Sequence, residues 1–203
     1  MSERSMKIHV VDDDDAFRDS LLWLLESHDY QVEGHDSAEA FLVGRTRGEV
    51  ACLIADVRMP GMNGLLLLGE LQQMGINWPV IFMTGHGDVP MAVQALRNGA
   101  HDFLEKPFDQ TALLASLDSA LAVALDRQSK LLAYERVAAR LALLTQRERE
   151  VLDLVVQGKM NKVIADALGI SIKTVEVHRG KMMDKMRARS VVELVQALVS
   201  VQE

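Results

Sequence analysis

The strongest constraint in this chain is an alternation. Between residues 7 and 121, five short β-rich runs (7–11, 31–33, 52–55, 80–83 and 102–105) alternate with stretches of helical apolar spacing (16–27, 37–43, 65–74, 89–98 and from 110 onward). With a helix between every two consecutive strands, the strands are expected to pair in parallel, in a sheet covered on both faces. Right-handed crossovers then bring all five strand ends to one edge. Open parallel sheets bind their ligands at that edge.

Polar residues gather there. Asp12, Asp13, Asp14 and Asp15 follow the first run, and Asp56 ends the third, just before a Met-Pro-Gly turn. Thr84 ends the fourth, and Lys106-Pro107 follows the fifth. Converging carboxylates repel one another, and either raised pKa values or a bound cation relieves the repulsion. A small set of oxygen-only ligands suits Mg²⁺, which keeps several waters and takes a phosphate oxygen. Asp14 and Asp15 read instead as a solvated loop, or as charge complementing the dipole of the helix that starts near Ala16. The single cysteine, Cys52, lies within an apolar run and reads as a core residue. One cysteine allows no intrachain disulfide and points to a reducing cytosol. No apolar run approaches the ~20 residues of a membrane span, and no hydrophobic signal segment opens the sequence, so a cytoplasmic location is expected.

Charge divides the chain. Residues 1–125 carry 8 Lys and Arg against 19 Asp and Glu, whereas residues 142–203 carry 10 against 8. That asymmetry predicts two domains with different partners. The boundaries fall at 1–122, a helical linker at 123–144 that is free of Gly and Pro, and 145–203. The last segment reads as four short helices. Thr145 and Glu148 form a capping box ahead of Val151, Leu152, Leu154 and Val155, and Gly158 ends that helix. Asn161 opens a second helix, Gly169 makes the turn, and Ser171 caps a third helix that runs to about Met186. Ser190 and Glu193 form a second capping box before the final helix. The spacing of Ala165, Gly169 and Val175 matches a helix-turn-helix: a small residue for close approach, a turn glycine and an apolar anchor.

Two resemblances follow from these residues. Val-Val-Asp-Asp at 10–13, Ile-Ala-Asp-Val-Arg-Met-Pro-Gly-Met-Asn-Gly at 54–64, Met-Thr-Gly-His-Gly-Asp-Val-Pro at 83–90 and Phe-Leu-Glu-Lys-Pro-Phe at 103–108 together resemble a response-regulator receiver domain over about residues 6–122. This is an α/β, flavodoxin-like, doubly wound fold with a five-stranded parallel sheet. The resemblance implies that Asp56 accepts a phosphoryl group from a sensor histidine kinase. It implies Mg²⁺ (or Mn²⁺) on Asp13, Asp56 and the Arg58 carbonyl, with Asp12 acting partly through water. Lys106 and Thr84 would meet the phosphoryl oxygens, and Phe103 would be the aromatic switch, its alternative being a static core ring. Lys106-Pro107 resembles the family's cis peptide. Gly61 and Gly64 fit a tight loop after the phosphoacceptor. His86 reads as a solvated loop residue or a phosphoryl contact. Residues 85–93 resemble the FixJ-like branch, whose fourth helix and fifth strand, here about 90–103, form a dimer face.

The last 60 residues resemble the all-α, four-helix DNA-binding domain of the LuxR and NarL type, through Leu-Thr-Gln-Arg-Glu-Arg-Glu-Val-Leu at 144–152 and Thr-Val-Glu-Val-His-Arg at 174–179. On its recognition helix, Val175, Met182, Met183 and Met186 are expected in the core. Lys173, Glu176, Val177, Arg179 and Gly180 are expected to face outward. Glu176 and Val177 hold base-reading places, where Glu accepts from a cytosine amino group and Val touches a thymine methyl; Glu176 could instead pair with Arg179 or Lys173. Gly180 offers no base-reading side chain. Asn161, Lys162, Thr174, His178, Lys181 and Lys185 are expected on phosphates.

The function these readings predict is a phosphorylation-activated transcriptional regulator. Its expected partners are a histidine kinase, two-fold promoter DNA, a second copy of the chain when phosphorylated, and RNA polymerase; no membrane is expected among them. The chain is not expected to be an enzyme beyond assisting its own phosphorylation and dephosphorylation. Two alternatives are a Mg²⁺-dependent phosphatase acting through Asp56, and a phosphorylation-independent DNA-binding dimer. Such a phosphatase needs a second acid and a cap domain, whereas the second domain here reads as DNA-binding; the intact set Asp13, Asp56, Thr84 and Lys106 argues against the second alternative.

Overall fold

Along β1 (Lys7–Val11) the side chains alternate between two cores, as the two-residue strand period requires. Ile8 and Val10 enter one core, and Val11 enters the other. The computed structural model describes residues 6–45, 50–85 and 89–199. The chain divides into two compact units, Met1–Arg127 and Gln128–Glu203.

In the first unit, α1 (Asp15–Glu26), β2 (Gln31–His35), α2 (Ala38–Gly44), β3 (Ala51–Asp56), α3 (Gly64–Gln73), β4 (Val80–Thr84), α4 (Val89–Arg97) and β5 (Asp102–Glu105) follow β1, and α5 (Gln110–Ala142) begins there. The strands form one sheet in the order β2-β1-β3-β4-β5. Every pairing is parallel. The central strand β3 is buried along Ala51 to Ala55, which is why it reads as an unbroken apolar run. Leu21 and Leu25 of α1 and Leu113, Leu117 and Leu121 of α5 cover one face. Phe41 of α2, Leu67, Leu68 and Leu71 of α3 and Ala95 of α4 cover the other. Cys52 is fully buried, and burial pushes its thiol up to about 12.

The helix starts follow local capping chemistry. Asp14 accepts from the Phe17 N–H, Ser37 from Ala40 and Asn63 from Leu66. Asp14 is therefore the N-cap of α1, and Asp15 pairs with Arg18 across its first turn. β2 extends two residues beyond the run expected at 31–33. The addition brings Gly34 and His35 into register with Val10 and Val11. His35 is buried against Phe41, and burial together with the neighbouring His9 pulls its imidazole below the ordinary value. Gly64 sits where the chain leaves β3 for α3, and a Cβ there would lie 2.5 Å from the Asp56 carbonyl oxygen.

In the second unit, α6 (Gln146–Val156), α7 (Asn161–Leu168), α8 (Ile172–Met186) and α9 (Val191–Val199) enclose a core of Val151, Leu152, Val155, Ile164, Ala165, Val175, Met182, Met186 and Leu194. Val137 and Leu144 join that core. The Thr145–Glu148 capping box is complete, and Ser171 caps α8 by accepting from Thr174 N–H. Gly169, between α7 and α8, has φ +64, the left-handed conformation that a non-glycine residue adopts only with strain.

Two starts differ from expectation. The N-cap of α7 is Met160, with no side-chain cap; Asn161 already lies in the helix and its side-chain Oδ1 accepts from Arg179 Nη1 instead. Ser190 accepts from Glu193 N–H, but the Glu193 carboxylate reaches back one residue too far for a capping box and takes the Arg189 N–H at 2.7 Å. Among the described residues no helix is long and apolar enough to cross a membrane.

Candidate functional site

The ends of β1 and β3 set Asp12 and Asp56 side by side, because Val11 is in register with Ala55. The backbone after β5 brings in the third member. Lys106 N–H donates to the Thr84 carbonyl at 2.7 Å, which locks the β5 exit against the end of β4. The Lys106 Nζ then lies 2.7 Å from Asp12 Oδ2 and 2.6 Å from Asp56 Oδ2. The Lys106-Pro107 peptide is cis.

Each carboxylate has a second donor. Asp12 Oδ1 accepts from Asp14 N–H at 2.9 Å, and Asp56 Oδ1 from Arg58 N–H at 2.8 Å. Asp12 is completely buried, and that burial raises its pKa despite the hydrogen bonds from Lys106 and Asp14. Burial alone would depress Lys106, but its hydrogen bonds to Asp12 and Asp56 prevail and raise it. A cation held between two anions in a partly dry site is the expected outcome of that competition.

Asp12, Asp56 and Lys106 are thus in direct contact. Thr84 is buried at the end of β4, Asp13 is exposed beside Asp12, and Phe103 is half-buried on β5, packed against the core that contains Phe82. The reading of His86 concerns a residue outside the described ones.

Three contacts were not read from the sequence. The Phe17 ring lies under Lys106, with Nζ 3.8 Å from its centroid. Arg18 Nη1 donates to the Asp12 carbonyl at 2.7 Å. Glu39 Oε1 on α2 accepts from Met62 N–H at 3.0 Å, tying down the loop after Asp56. Phe17 and Arg18 lie one helical turn beyond the Asp run, and that spacing is the only signal the sequence carried. For Glu39 it carried none.

In the second unit the outer side of α8 presents Lys173, Glu176, Val177, Gly180 and Lys181 to solvent, while Thr174 and His178 are half-buried. Lys162 on α7 is exposed as well. Val175, Met182 and Met186 are core, and Met183 packs at its margin. No neighbouring atom stands within 4 Å of where a Cβ on Gly180 would lie, so that part of the surface is open.

Two cations expected to be presented outward are engaged internally. Arg179 is half-buried, and its Nη1 donates to Asn161 Oδ1 at 2.8 Å. Lys185 Nζ lies 2.6 Å from Glu148 Oε2, a carboxylate only 2% exposed. Sequence spacing placed both on the helix surface, but only the packing of α6 and α7 against α8 shows that partners reach them.

A parallel five-stranded sheet whose strand ends hold a lysine between two aspartates, carried in one chain with a four-helix unit built around a helix-turn-helix, defines a receiver coupled to a DNA-binding domain. Comparison with known proteins agrees for both units. Residues 8–118 match the response regulator receiver domain family, and residues 142–198 match the bacterial regulatory proteins of the luxR family. The chain is 50% identical over 191 residues to the transcriptional regulatory protein FixJ of Azorhizobium caulinodans, covering 94% of this chain and 90% of that protein. Among solved structures, it is similar to the response regulator StyR, with a TM-score of 0.88 at 40% identity over 95% of this chain and 98% of the other. Full-length FixJ from B. japonicum matches with a TM-score of 0.60 at 42% identity over 98% of both chains. The chain belongs to the two-component response regulators that join a receiver to a LuxR-type DNA-binding domain, and it is a phosphorylation-dependent transcriptional regulator. That family regulates transcription by binding DNA and does not consist of enzymes in the ordinary sense.

Proposed function

We propose that Asp56 is the phosphoacceptor. An Asp56 carboxylate oxygen attacks the phosphorus of a kinase phosphohistidine; an O–P bond forms as the N–P bond breaks, and the imidazole leaves. The observation that carries this reading is Lys106 Nζ, 2.6 Å from Asp56 and 2.7 Å from Asp12. It places a compact positive charge where phosphoryl oxygens would arrive, and such a transfer depends on positioning and charge stabilisation. Thr84, at the end of the adjoining strand, would present its hydroxyl to the same group. Phe103 would move into the space that Thr84 leaves.

The donor set fits a hard divalent cation. Asp12, Asp13, Asp56 and the Arg58 carbonyl offer oxygen only, and a single lysine leaves three carboxylates incompletely neutralised. Bound there, Mg²⁺ or Mn²⁺ would supply electrostatic stabilisation of the transferring phosphoryl oxygens.

The proposed division is a receiver at 1–122, a linker at 123–144 and a DNA-binding domain at 145–203. The phosphorylated chain would pair with a second copy through α4 and β5. Val93 and Leu96, large apolar residues exposed on α4, support this. The dimer would bind a two-fold promoter site in the cytoplasm and engage RNA polymerase. Glu176 and Val177 are proposed to read bases. Lys162, Lys173, Thr174, His178 and Lys181 would contact phosphates, with Asn161, Arg179 and Lys185 contributing once released from their internal partners.

The decisive experiment is labelling with acetyl phosphate in Mg²⁺, followed by DNA binding. Asp56→Asn is expected to abolish both the labelling and the phosphate-dependent gain in DNA affinity. Normal labelling of that variant would overturn the assignment.

A further inference from the structure

At the outer margin of the sheet lies a second cluster of potential ligands, in which two of the three donors are imidazoles. His9 of β1 and His35 of β2 are both buried, and His9 Nδ1 lies 3.0 Å from His35 Nε2. Glu33 is His9's register partner on β2, and its Oε1 lies 4.0 Å from His35 Nε2. One ligand atom from each of the three residues falls within 4.8 Å of the other two.

We propose that His9, Glu33 and His35 form a binding site for a divalent cation of the Zn²⁺ class. Bonds of about 2.0–2.1 Å in tetrahedral geometry put ligand atoms roughly 3.3 Å apart. The two imidazole nitrogens already stand near that spacing. Glu33 Oε1 stands 4.0 Å from His35 Nε2 and within 4.8 Å of the His9 ligand atom, so it needs to close by at most ~1.5 Å, within reach of a half-exposed side chain changing its rotamer. Two imidazoles and one carboxylate suit zinc and its neighbours, whereas Mg²⁺ prefers oxygen alone. The carboxylates at the strand ends and this cluster would therefore select different ions.

The surroundings hold the ligands in place. The His9 ring stacks on Trp78, with centroids 5.5 Å apart and planes at 1°, and both imidazoles meet Phe41 edge-on. Lys7 Nζ holds Glu33 Oε2 at 2.9 Å and leaves Oε1 on the side of His35. An ion would enter from the solvent side of edge strand β2, at Glu33, and a water would complete its coordination. Binding needs no net proton release from neutral imidazoles; the proton shared between His9 and His35 moves to a ring nitrogen that is not coordinated. The ion would cross-link β1 to β2 just before Asp12, whose N–H donates to the His35 carbonyl at 3.2 Å. The alternative is a plain hydrogen-bonded histidine pair within an aromatic core.

The test uses the full chain freed of metal, titrated with ZnCl₂ and with Co²⁺. Trp78, stacked on His9, is the fluorescent reporter, in a Trp23→Phe background. One equivalent is expected to bind, with the ligand-field absorption of tetrahedral Co²⁺, unaffected by excess Mg²⁺. Glu33→Gln is expected to weaken binding by about tenfold or more, and His35→Asn to abolish it. Asp56 labelling in Mg²⁺ should be unchanged in Glu33→Gln, which separates this site from the phosphoacceptor. Absence of saturable one-to-one binding overturns the proposal. So does wild-type affinity in Glu33→Gln, a conclusion that stands even if His35→Asn fails to fold.

Discussion

Glu148 is the residue whose replacement most directly tests how the DNA-binding unit holds its recognition helix. Its Oε2 accepts from Lys185 Nζ on α8 at 2.6 Å and from Thr145 N–H at 2.8 Å. One buried oxygen thus closes the cap of α6 and fixes the far end of α8. Truncation in Glu148→Ala removes a capping interaction of ~1 kcal/mol. It also removes a charge-assisted hydrogen bond of ~1–2 kcal/mol, reduced because the Lys185 side chain is 34% exposed. The sum is about 2–3 kcal/mol, or roughly 10–20 °C in the melting midpoint of a domain this small. Glu148→Gln keeps an acceptor oxygen and loses only the charge, so it should cost ~1 kcal/mol. Lys185 and then the Thr145 N–H hold the Glu148 carboxyl below its ordinary value of 4.5. The contribution of the ionised form is therefore complete above about that pH and is lost as pH falls through the lower folded-state pKa. The gap between wild type and Glu148→Gln should be widest at neutral pH and should shrink in acid. Both tryptophans, Trp23 and Trp78, lie in the first unit. Tryptophan fluorescence thus follows the receiver alone, while far-UV circular dichroism follows both units. The expected result is an early loss of helical signal with an unmoved fluorescence midpoint. A Glu148→Ala protein whose circular dichroism melt matches wild type refutes this account of α8.

Three further outcomes are expected. Gly64→Ala forces a Cβ to within 2.5 Å of the Asp56 carbonyl and 2.8 Å of Phe82 Cε1; it should destabilise the receiver by ~1–3 kcal/mol and slow acetyl-phosphate labelling, with Trp78 fluorescence in urea as the measure. Asp12→Asn should stabilise the receiver at neutral pH while weakening Mg²⁺ binding: the raised pKa of buried Asp12 means that its favourable protonated state is lost as pH rises, so the stability gain should vanish in acid. If Glu176 reads a cytosine, Glu176→Ala should relax selectivity at one base pair by ~1–3 kcal/mol, whereas Lys162→Ala should weaken binding to all sequences alike; competition binding on a panel of single-base variants separates the two.

Local rules carried much of this structure. The alternation of runs placed five strands and their helices, because a strand buried on both faces leaves a continuous apolar run and a cap leaves its side chain in the sequence. Boundaries slipped where a residue had another use. Asn161 looks like a cap by composition but serves Arg179, because α8 crosses close enough to compete for it. Glu193 satisfies a capping pattern by spacing, yet its carboxylate takes the Arg189 N–H, one residue before Ser190.

The sequence by itself determined the chemistry available at the sheet edge: acidic residues after one strand, a single aspartate after another, a threonine and a lysine after two more. Strand direction follows from the alternation, so their meeting at one edge was legible as well. Tertiary structure decided who touches whom. Register set Asp12 beside Asp56, and the Thr84–Lys106 backbone bond aimed the lysine between them. The same register, carried over to β2, put His9 against Glu33 and His35, residues more than 20 positions apart that no local pattern connects. Periodicity and capping act within a few residues and leave a trace in the sequence. Side-chain contacts between neighbouring strands depend on a register that only the assembled sheet defines.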